Sequence, residues 1–153
     1  DRFLFKVRVG YPVRDAELEM LSRVAGGFDS ERLSDSRLKP LVDAVGLKKV
    51  RGVVDRVKVA VEVQAYVADI VRATREDVGL TLGGSPRAAV MLLRAARAGA
   101  VLAGRSFVTP DDVKDYALPV LRHRVLVAPE LEVEGRSADD VIEAILTRVK
   151  APQ

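Results

Sequence analysis

A glycine pair followed by a long apolar segment constrains the fold more than any other part of the sequence. Gly83 and Gly84 interrupt the chain, and Ser85 and Pro86 follow them directly. A serine can cap the free amide hydrogens of a first helical turn, and proline suits the first helical position. Residues 88–103 contain no acidic side chain and are mostly Ala, Val, Leu and Met. The sequence therefore predicts a helix that begins at Ser85 and lies inside its domain, because it is apolar nearly all round.

The same segment carries an orderly set of arginines. At about 100° per residue they fall within a stripe about 80° wide. Its members are Arg87, Arg94, Arg97 and Arg105. Arg87 lies in the first helical turn, where the positive end of the helix dipole gives a structural arginine little to gain, whereas an anion held by free amide hydrogens would gain from it. Arg87 is therefore a candidate binding residue, and the other three are expected to form a solvated or interface edge.

Helical periodicity and capping residues recur along the rest of the chain. They predict further helices over residues 15–24, 62–79, 109–118 and 137–149. Residues 28–40 are polar and predict a loop. Residues 40–57 predict two short helices, with a strand as the alternative because valine is frequent. We expect a mainly α fold, a helical bundle, with a small hairpin near the C-terminus formed by residues 125–127 and 131–134.

The first residues alternate between apolar and polar side chains, which is typical of a β-strand. The apolar side chains of one face are Phe3, Phe5, Val7 and Val9. A lone strand cannot satisfy its backbone hydrogen bonds, so we expect this N-terminal strand to complete a sheet whose other strands belong to a longer protein. The chain opens on Asp1 rather than Met, in agreement with that expectation. The boundary between this strand and the helical part of the chain is predicted near residues 11–12.

Charge balance and cysteine content argue against several classes of function. The 25 Lys and Arg residues against 22 Asp and Glu leave a net charge of +3 on 153 residues, a weak field, so nucleic-acid binding is not expected. There is no cysteine and one histidine, His123, which we expect to be structural, so no metal site is expected. The longest apolar run, residues 98–103, is shorter than the about 20 residues that span a bilayer.

Two other patterns superficially suggest chemistry. The glycines of residues 79–85 have the spacing of a phosphate-binding loop, but Ser85 stands where such a loop needs lysine. The acidic pairs at 111–112 and 139–140 suggest carboxylate catalysis, yet each pair follows a predicted helix cap, which accounts for it. Neither pattern predicts an enzyme complete in itself.

Several segments, in this order and spacing, resemble the C-terminal lid of the MoxR family of AAA+ ATPases. They are Gly-Ser-Pro-Arg-Ala (84–88), Leu-Leu-Arg-Ala-Ala (92–96), Gly-Arg-Ser-Phe-Val-Thr-Pro-Asp-Asp-Val (104–113) and Pro-Val-Leu-Arg-His-Arg (119–124). Residues 1–12 are similar to the end of that family's nucleotide-binding core, and residues 66–75 to one of its lid helices. The resemblance implies that residues 1–11 are a remnant of the AAA+ core, its last strand, and that residues 12–153 are a helical lid domain.

The resemblance implies roles for individual residues. Arg87 matches the sensor 2 arginine, which contacts the γ-phosphate of ATP, and Ser85 and Pro86 belong to the same nucleotide-binding motif. Arg2 matches an arginine finger that stabilises the transferred phosphoryl group in a neighbouring subunit's site. The alternative is that Arg2 is simply the arginine at the start of the strand and has no catalytic role. Whether Arg87 serves the nucleotide of its own or of an adjacent subunit stays open.

The resemblance also indicates which steps of ATP binding and hydrolysis this part of the chain is not expected to perform alone. They contain no Walker A, Walker B or sensor 1 motif, so ATP and Mg²⁺ are expected in the full-length protein and neither is expected on this fragment. The family implies a cytoplasmic, chaperone-like ring, a hexamer, that matures or activates protein complexes, often with von Willebrand factor A domain partners. The rival interpretation is a free-standing helical module without catalytic activity that binds a protein or nucleic acid through the arginine edge.

Overall fold

Seven helices and two short strands follow one another in the computed structural model, which describes residues 2–32 and 39–152. They are α1 (Arg14–Ala25), α2 (Ala44–Asp55), α3 (Val61–Glu76), β1 (Leu80–Leu82), α4 (Pro86–Leu102), α5 (Pro110–Leu121), β2 (Leu126–Val127), α6 (Pro129–Val133) and α7 (Ala138–Arg148). The predicted mainly α fold is confirmed. None of the helices in the described ranges combines the length and apolar composition needed to cross a membrane.

The chain divides into two compact units, one of Asp1–Val7 with Lys49–Gln153 and one of Arg8–Lys48. The smaller unit contains α1, whose side chains are all at least partly exposed. α1 ends before Gly26 and Gly27, and Gly27 has a φ of 92° that suits glycine. The predicted loop at 28–40 includes residues 33–38, which lie outside the described residues. Residues 40–57 contain one helix, α2, rather than two.

The core of the larger unit lies between α3, α4, α5 and α7. The amphipathic helices predicted over 62–79 and 137–149 are confirmed as α3 and α7, and each buries one face. Large side chains with almost no exposure come from all four helices: Tyr66, Ile70, Val71, Leu92, Val113, Val120, Leu121, Ile142 and Ile145. Burying a side chain of this size stabilises the fold by about 1.5–3 kcal/mol before entropy is subtracted.

α4 packs closely against α5 because its inner face is built from small residues. Buried positions on α4 are mostly alanines, with Gly99 among them. A Cβ atom on Gly99 would lie 2.3 Å from Cε2 of Tyr116, closer than two carbon atoms can approach. The Tyr116 ring in turn stacks on Phe5, with 5.9 Å between ring centroids. Glycine at position 99 therefore sets the distance between the two helices.

The prediction that α4 is buried nearly all round is wrong. Val90 is 49% exposed and Leu102 84% exposed, and Arg87 and Arg94 are exposed as well. The reason is geometric, since α3 and α5 cover one side of the helix and the opposite side faces outward. α4 therefore has an outer face that carries two of the four predicted stripe arginines, Arg87 and Arg94, and both are exposed.

The turn from α4 to α5 is closed by an ion pair. Arg105 donates to both carboxylate oxygens of Asp112, at 2.6 and 2.7 Å, and Thr109 completes a capping box with the same carboxylate. The bonds from Arg105, followed by those from Thr109, lower the pKa of Asp112 to about 2. The prediction that Arg105 belongs to a solvated or interface edge is therefore wrong, because its guanidinium is bound to a buried carboxylate.

A small antiparallel sheet is present, but the predicted hairpin partner is wrong. β2 pairs with β1, with Leu80 opposite Val127 and Leu82 opposite Leu126. Residues 131–134 belong instead to the short helix α6 and its C-cap. β1 consists of only three residues, which lie between Gly79 and Gly83 and show no strand pattern in the sequence. The tertiary contact with β2 therefore specifies β1.

The predicted N-terminal strand is not formed. Residues 2–12 pair with no strand among the described residues, so they have no ladder to join. The N–H of Lys6 instead donates to the carbonyl oxygen of Pro119 at 2.9 Å. α5 itself continues through Pro119 to Leu121, past the predicted end at residue 118. One proline costs one helical hydrogen bond, which the burial of Val120 and Leu121 offsets here.

We predict that Gly99→Ala lowers the free energy of unfolding by about 1–3 kcal/mol, because the methyl group overpacks the contact between α4 and Tyr116. Urea unfolding followed by circular dichroism measures the change.

Gly52→Ala is the matched control. Gly52 also lies inside a helix, but a Cβ atom there would meet only Arg56 Nη1, at an ordinary 3.7 Å. Helix propensity then predicts no loss, or a gain of up to about 1 kcal/mol. Equal effects of the two substitutions would contradict the packing argument.

Candidate functional site

The end of α3 fixes the start of α4 by holding the glycine pair. A Cβ atom on Gly83 would lie 2.5 Å from the carbonyl oxygen of Thr74 and 2.6 Å from the backbone nitrogen of Arg75. The N–H of Gly84 donates to Thr74 Oγ1 at 2.8 Å, and Arg75 Nε donates to the carbonyl oxygen of Gly84 at 2.6 Å. Both backbone polar groups of Gly84 are therefore bound by α3, which positions the helix that follows.

Thr74 is the buried centre of this contact. Its side chain has no exposed area, and its hydroxyl donates to the Val71 carbonyl oxygen at 2.6 Å while accepting from Gly84. The sequence pattern places Thr74 on the inner face of α3 and Arg75 on the outer face, but assigns neither a role. A polar residue inside an apolar stripe, one turn from a helix end, is the signal that identifies Thr74.

Ser85 and Pro86 occupy the predicted positions at the helix start. Pro86 is the first residue of α4, and Ser85 is its N-cap with extended backbone angles of −72° and 167°. The Ser85 side chain, however, makes no capping hydrogen bond, unlike Thr109 at α5 and Ser137 at α7. The first turn of α4 therefore presents amide hydrogens and the positive end of its dipole without a side-chain acceptor.

Arg87 lies exposed on this first turn. Within residues 2–32 and 39–152 its side chain has no hydrogen bond or ion pair. Its positive charge acts on Arg124, whose pKa is lowered first by burial and then by Arg87. Arg87 is therefore exposed at the start of α4, whereas Arg124 is buried.

The residues after α5 bind the N-terminal segment. We call Arg122, His123 and Arg124 the basic clasp. Arg124 is 6% exposed and donates to the backbone carbonyl oxygens of Phe3, Leu4 and Val120. Its bond to Leu4 measures 3.1 Å. A buried guanidinium that donates to three main-chain oxygens fixes the position of the segment that supplies two of them.

The other two clasp residues bind the same segment. His123 Nε2 lies 3.1 Å from the Phe3 carbonyl oxygen, so this nitrogen carries the proton, and Arg122 donates to the Lys6 carbonyl oxygen at 3.2 Å. Arg122 also pairs with Asp139 at 3.0 Å. Burial lowers the pKa of His123, and the charges of Arg124 and Lys6 lower it further. This contact agrees with the structural role predicted for His123.

Arg2 is exposed next to the clasped segment. Its guanidinium carbon lies 5.7 Å from the centroid of the Phe3 ring. In the described part of the chain no hydrogen bond or ion pair joins Arg2 to Arg87. The clasp residue Arg124 donates to the Phe3 carbonyl oxygen, and the charge of Arg87 contributes, after burial, to lowering the pKa of Arg124. Its signal in the sequence is a basic residue with no acidic residue within four positions.

The chemistry of this site is that of anion binding. Arg87 and the uncapped first turn of α4 present positive charge, and backbone amides with a guanidinium group suit phosphate. Over the described residues, no three His, Cys, Asp or Glu side chains gather as metal ligands. The acidic pairs at 111–112 and 139–140 lie at the starts of α5 and α7, where Asp112 and Asp140 complete capping boxes.

A family model described as the AAA lid domain matches residues 72–145, which include Arg87 and the basic clasp. The match also takes in α6 and most of α7.

Relatives match over nearly the whole chain. It is 35% identical to "Uncharacterized protein YeaC" of Bacillus subtilis, over 99% of this chain and 46% of that protein. It is 32% identical to "Chaperone MoxR1" of Mycobacterium tuberculosis, over 100% of this chain and 41% of that protein. The crystal structure of "a putative ATPase" from Cytophaga hutchinsonii superposes with a TM-score of 0.85 at 28% identity, covering 99% of this chain and 47% of that one. The chain spans less than half the length of these relatives.

We predict that Thr74→Val lowers the free energy of unfolding by about 1–3 kcal/mol, because it leaves the buried N–H of Gly84 without its acceptor at nearly constant side-chain volume. Amide hydrogen exchange at Gly84 should accelerate in the same variant.

The matched control is Thr147→Val. The Thr147 hydroxyl is exposed and donates to the Glu143 carbonyl oxygen of its own helix. Its removal should change the unfolding free energy by no more than about 0.5 kcal/mol. Unchanged exchange at Gly84 in Thr74→Val would contradict the positioning role of Thr74.

Proposed function

The chain belongs to the lid region of the MoxR family of AAA+ ATPases, and on that premise we propose that Arg87 is the residue by which this lid senses bound ATP. The observation that carries the proposal is the state of Arg87. It is exposed on the first turn of α4 and has no bonded partner among the described residues. A guanidinium group with amide hydrogens beside it can bind the γ-phosphate by charge-assisted hydrogen bonds.

The packing behind Arg87 suits a sensor. The glycine pair is bound to α3, and α4 is packed against α5, so Arg87 is attached to a rigid group of helices. A contact between Arg87 and the γ-phosphate, present with ATP and absent with ADP, would favour one lid position over another by its interaction energy. We propose that this difference couples hydrolysis to movement of the lid, on the subunit's own nucleotide or on that of its neighbour.

We propose further that the full-length protein binds ATP and Mg²⁺ and forms a ring, a hexamer, in the cytoplasm. In this proposal residues 1–11 are the end of the nucleotide-binding core and residues 12–153 the lid domain. The name of the relative MoxR1 supports a chaperone-like role in maturing or activating protein complexes. A von Willebrand factor A domain protein as partner is supported by the family resemblance of the sequence.

Arg2 is proposed as an arginine finger that acts in the site of a neighbouring subunit. Its side chain is exposed, and the residue that follows it is bound by the clasp, so a guanidinium on a short tether extends from a fixed point. An arginine supplied across a subunit boundary stabilises the charge of the transferred phosphoryl group.

Arg87→Ala in the full-length protein should lower the turnover of ATP by about 10²-fold, as expected when one donor to transition-state charge is removed. Arg94→Ala is the matched control, because Arg94 is exposed on the same helix and has no bonded partner in the described ranges. Both variants should keep the wild-type melting temperature. Wild-type turnover in Arg87→Ala would contradict the sensor role.

Mixed rings test the action of Arg2. Arg2→Ala subunits keep their ATP site, and subunits unable to bind ATP keep their Arg2, so each ring alone should be inactive. A one-to-one mixture should recover about a quarter of wild-type hydrolysis, because half of the subunits bind ATP and half of those have an intact neighbour. No recovery would contradict action across the subunit boundary.

A further inference from the structure

A cleft of about 370 Å³ lies between the end of α2 and the turn that joins α4 to α5. Val53, Val57 and Val101 supply its apolar lining, and Arg56 and Arg105 are its charged residues. All five belong to the larger unit of the fold, so the cleft lies within that unit. Its volume falls in the range of pockets that bind small ligands, so it has room for an apolar side chain of a partner.

Main-chain hydrogen bonds join the two walls of this cleft. The N–H of Lys58, just after α2, donates to the Ser106 carbonyl oxygen at 2.9 Å, and the N–H of Val108 donates to the Lys58 carbonyl oxygen at 3.0 Å. The ion pair of Arg105 with Asp112 fixes the same turn. The cleft is therefore formed before a ligand arrives, which lowers the entropy cost of binding.

The charge available to a ligand at the cleft is positive. Arg105 is paired with Asp112, but Arg56 is exposed, and its side chain has no hydrogen bond or ion pair within residues 2–32 and 39–152. Residues 49–58 contain four basic residues and one acidic residue, and residues 88–110 contain no acidic residue. Both walls therefore favour a ligand with negative charge.

The end of α4 does not reverse this preference. The carbonyl oxygens at a helix C-terminus carry partial negative charge, which disfavours an acidic ligand when they are free. Here the carbonyl oxygens of Ala100 and Val101 already accept hydrogen bonds from the N–H groups of Arg105 and Gly104, at 2.8 and 2.9 Å. The guanidinium group of Arg56 is therefore the polar group that a ligand meets.

Exposed apolar side chains adjoin the cleft in the sequence. Leu102 is 84% exposed and Phe107 53% exposed, and each directly follows a residue that lines the cleft. Apolar surface grouped around a concave site is typical of an interaction surface. A phosphate backbone would use the positive charge but not the valines, so the combination favours a peptide that carries both acidic and apolar side chains.

We propose that this cleft binds an acidic segment of a partner protein, with an apolar side chain against the three valines and a carboxylate bound to Arg56. The proposal goes beyond the sensing of ATP and does not depend on it. Val101 lies on α4, the helix that begins beside Arg87. A partner bound in the cleft is thus attached to the same helix that carries the proposed sensor.

A fluorescent peptide of sequence Asp-Glu-Leu-Leu-Glu-Asp tests the proposal by anisotropy on the full-length protein without nucleotide. The peptide should bind, and Arg56→Glu should weaken its binding by about tenfold or more, because attraction becomes repulsion. Arg136→Glu is the matched control, since Arg136 is exposed and lines a different cleft, and it should leave the affinity unchanged within about twofold. No binding to the wild type, or equal losses in the two variants, would overturn the proposal.

Two further measurements separate charge from apolar contact. A peptide with Lys in place of the acidic residues should bind Arg56→Glu more tightly than it binds the wild type. Val53→Asp should weaken the acidic peptide by about tenfold, because it places a carboxylate in the cleft, whereas Val133→Asp, on the exposed side of α6, should not. Unchanged affinity in Val53→Asp would show that the valines do not contact the peptide and would overturn the proposed site.

Other occupants of the cleft give different results. An oligothymidylate of about ten nucleotides that binds through Arg56 more tightly than the acidic peptide would assign the cleft to nucleic acid and overturn the proposal. A change of oligomer size in Arg56→Glu on size-exclusion chromatography, with unchanged peptide affinity, would assign it to a contact between copies of the chain and would also overturn it. Unchanged oligomer size together with the loss of peptide binding is the expected result.

Discussion

The close contact between α4 and α5 is the constraint on which the rest of the site depends. Small residues on α4, with Gly99 against Tyr116, let the two helices approach, and the bond from Arg105 to Asp112 closes their turn. The residues that follow α5 form the basic clasp, which binds the N-terminal segment. The site is therefore a consequence of helix packing, since no segment of it is adjacent in sequence to all the others.

Two arginines of this domain, Arg87 and Arg124, carry their charge in different surroundings. Arg87 is exposed and has no bonded partner in the described chain, whereas Arg124 is buried and donates to three main-chain oxygens. The first arrangement leaves a cation available to a ligand at little cost to stability. The second ties the N-terminal segment to the helices. The sensor role proposed for Arg87 draws on both, because a free cation is informative only when its attachment is rigid.

Much of the helical architecture follows from local signals. The caps at Thr109 and Ser137 and the glycine pair before Ser85 mark helix starts correctly, because capping chemistry depends on residues within one turn. The strand predictions, in contrast, depend on distant partners. The strand over residues 3–9 has no ladder in the described chain, and β2 pairs with β1 rather than with residues 131–134. β-structure is specified by neighbours in space, which a sequence pattern does not supply.

The sequence by itself determined that Arg87 stands at the start of a helix, since the glycine pair, Ser85 and Pro86 are local features. Only the tertiary structure decided which arginines are bound to other groups of the chain and which, among the described residues, have no bonded partner. Arg105, on the predicted stripe, is bound to Asp112, and Arg124, outside that stripe, is buried and bound to main-chain oxygens. Periodicity places a side chain on a face of its own helix, but the partner of a guanidinium group is set by how helices pack, and packing depends on contacts between residues far apart in the chain.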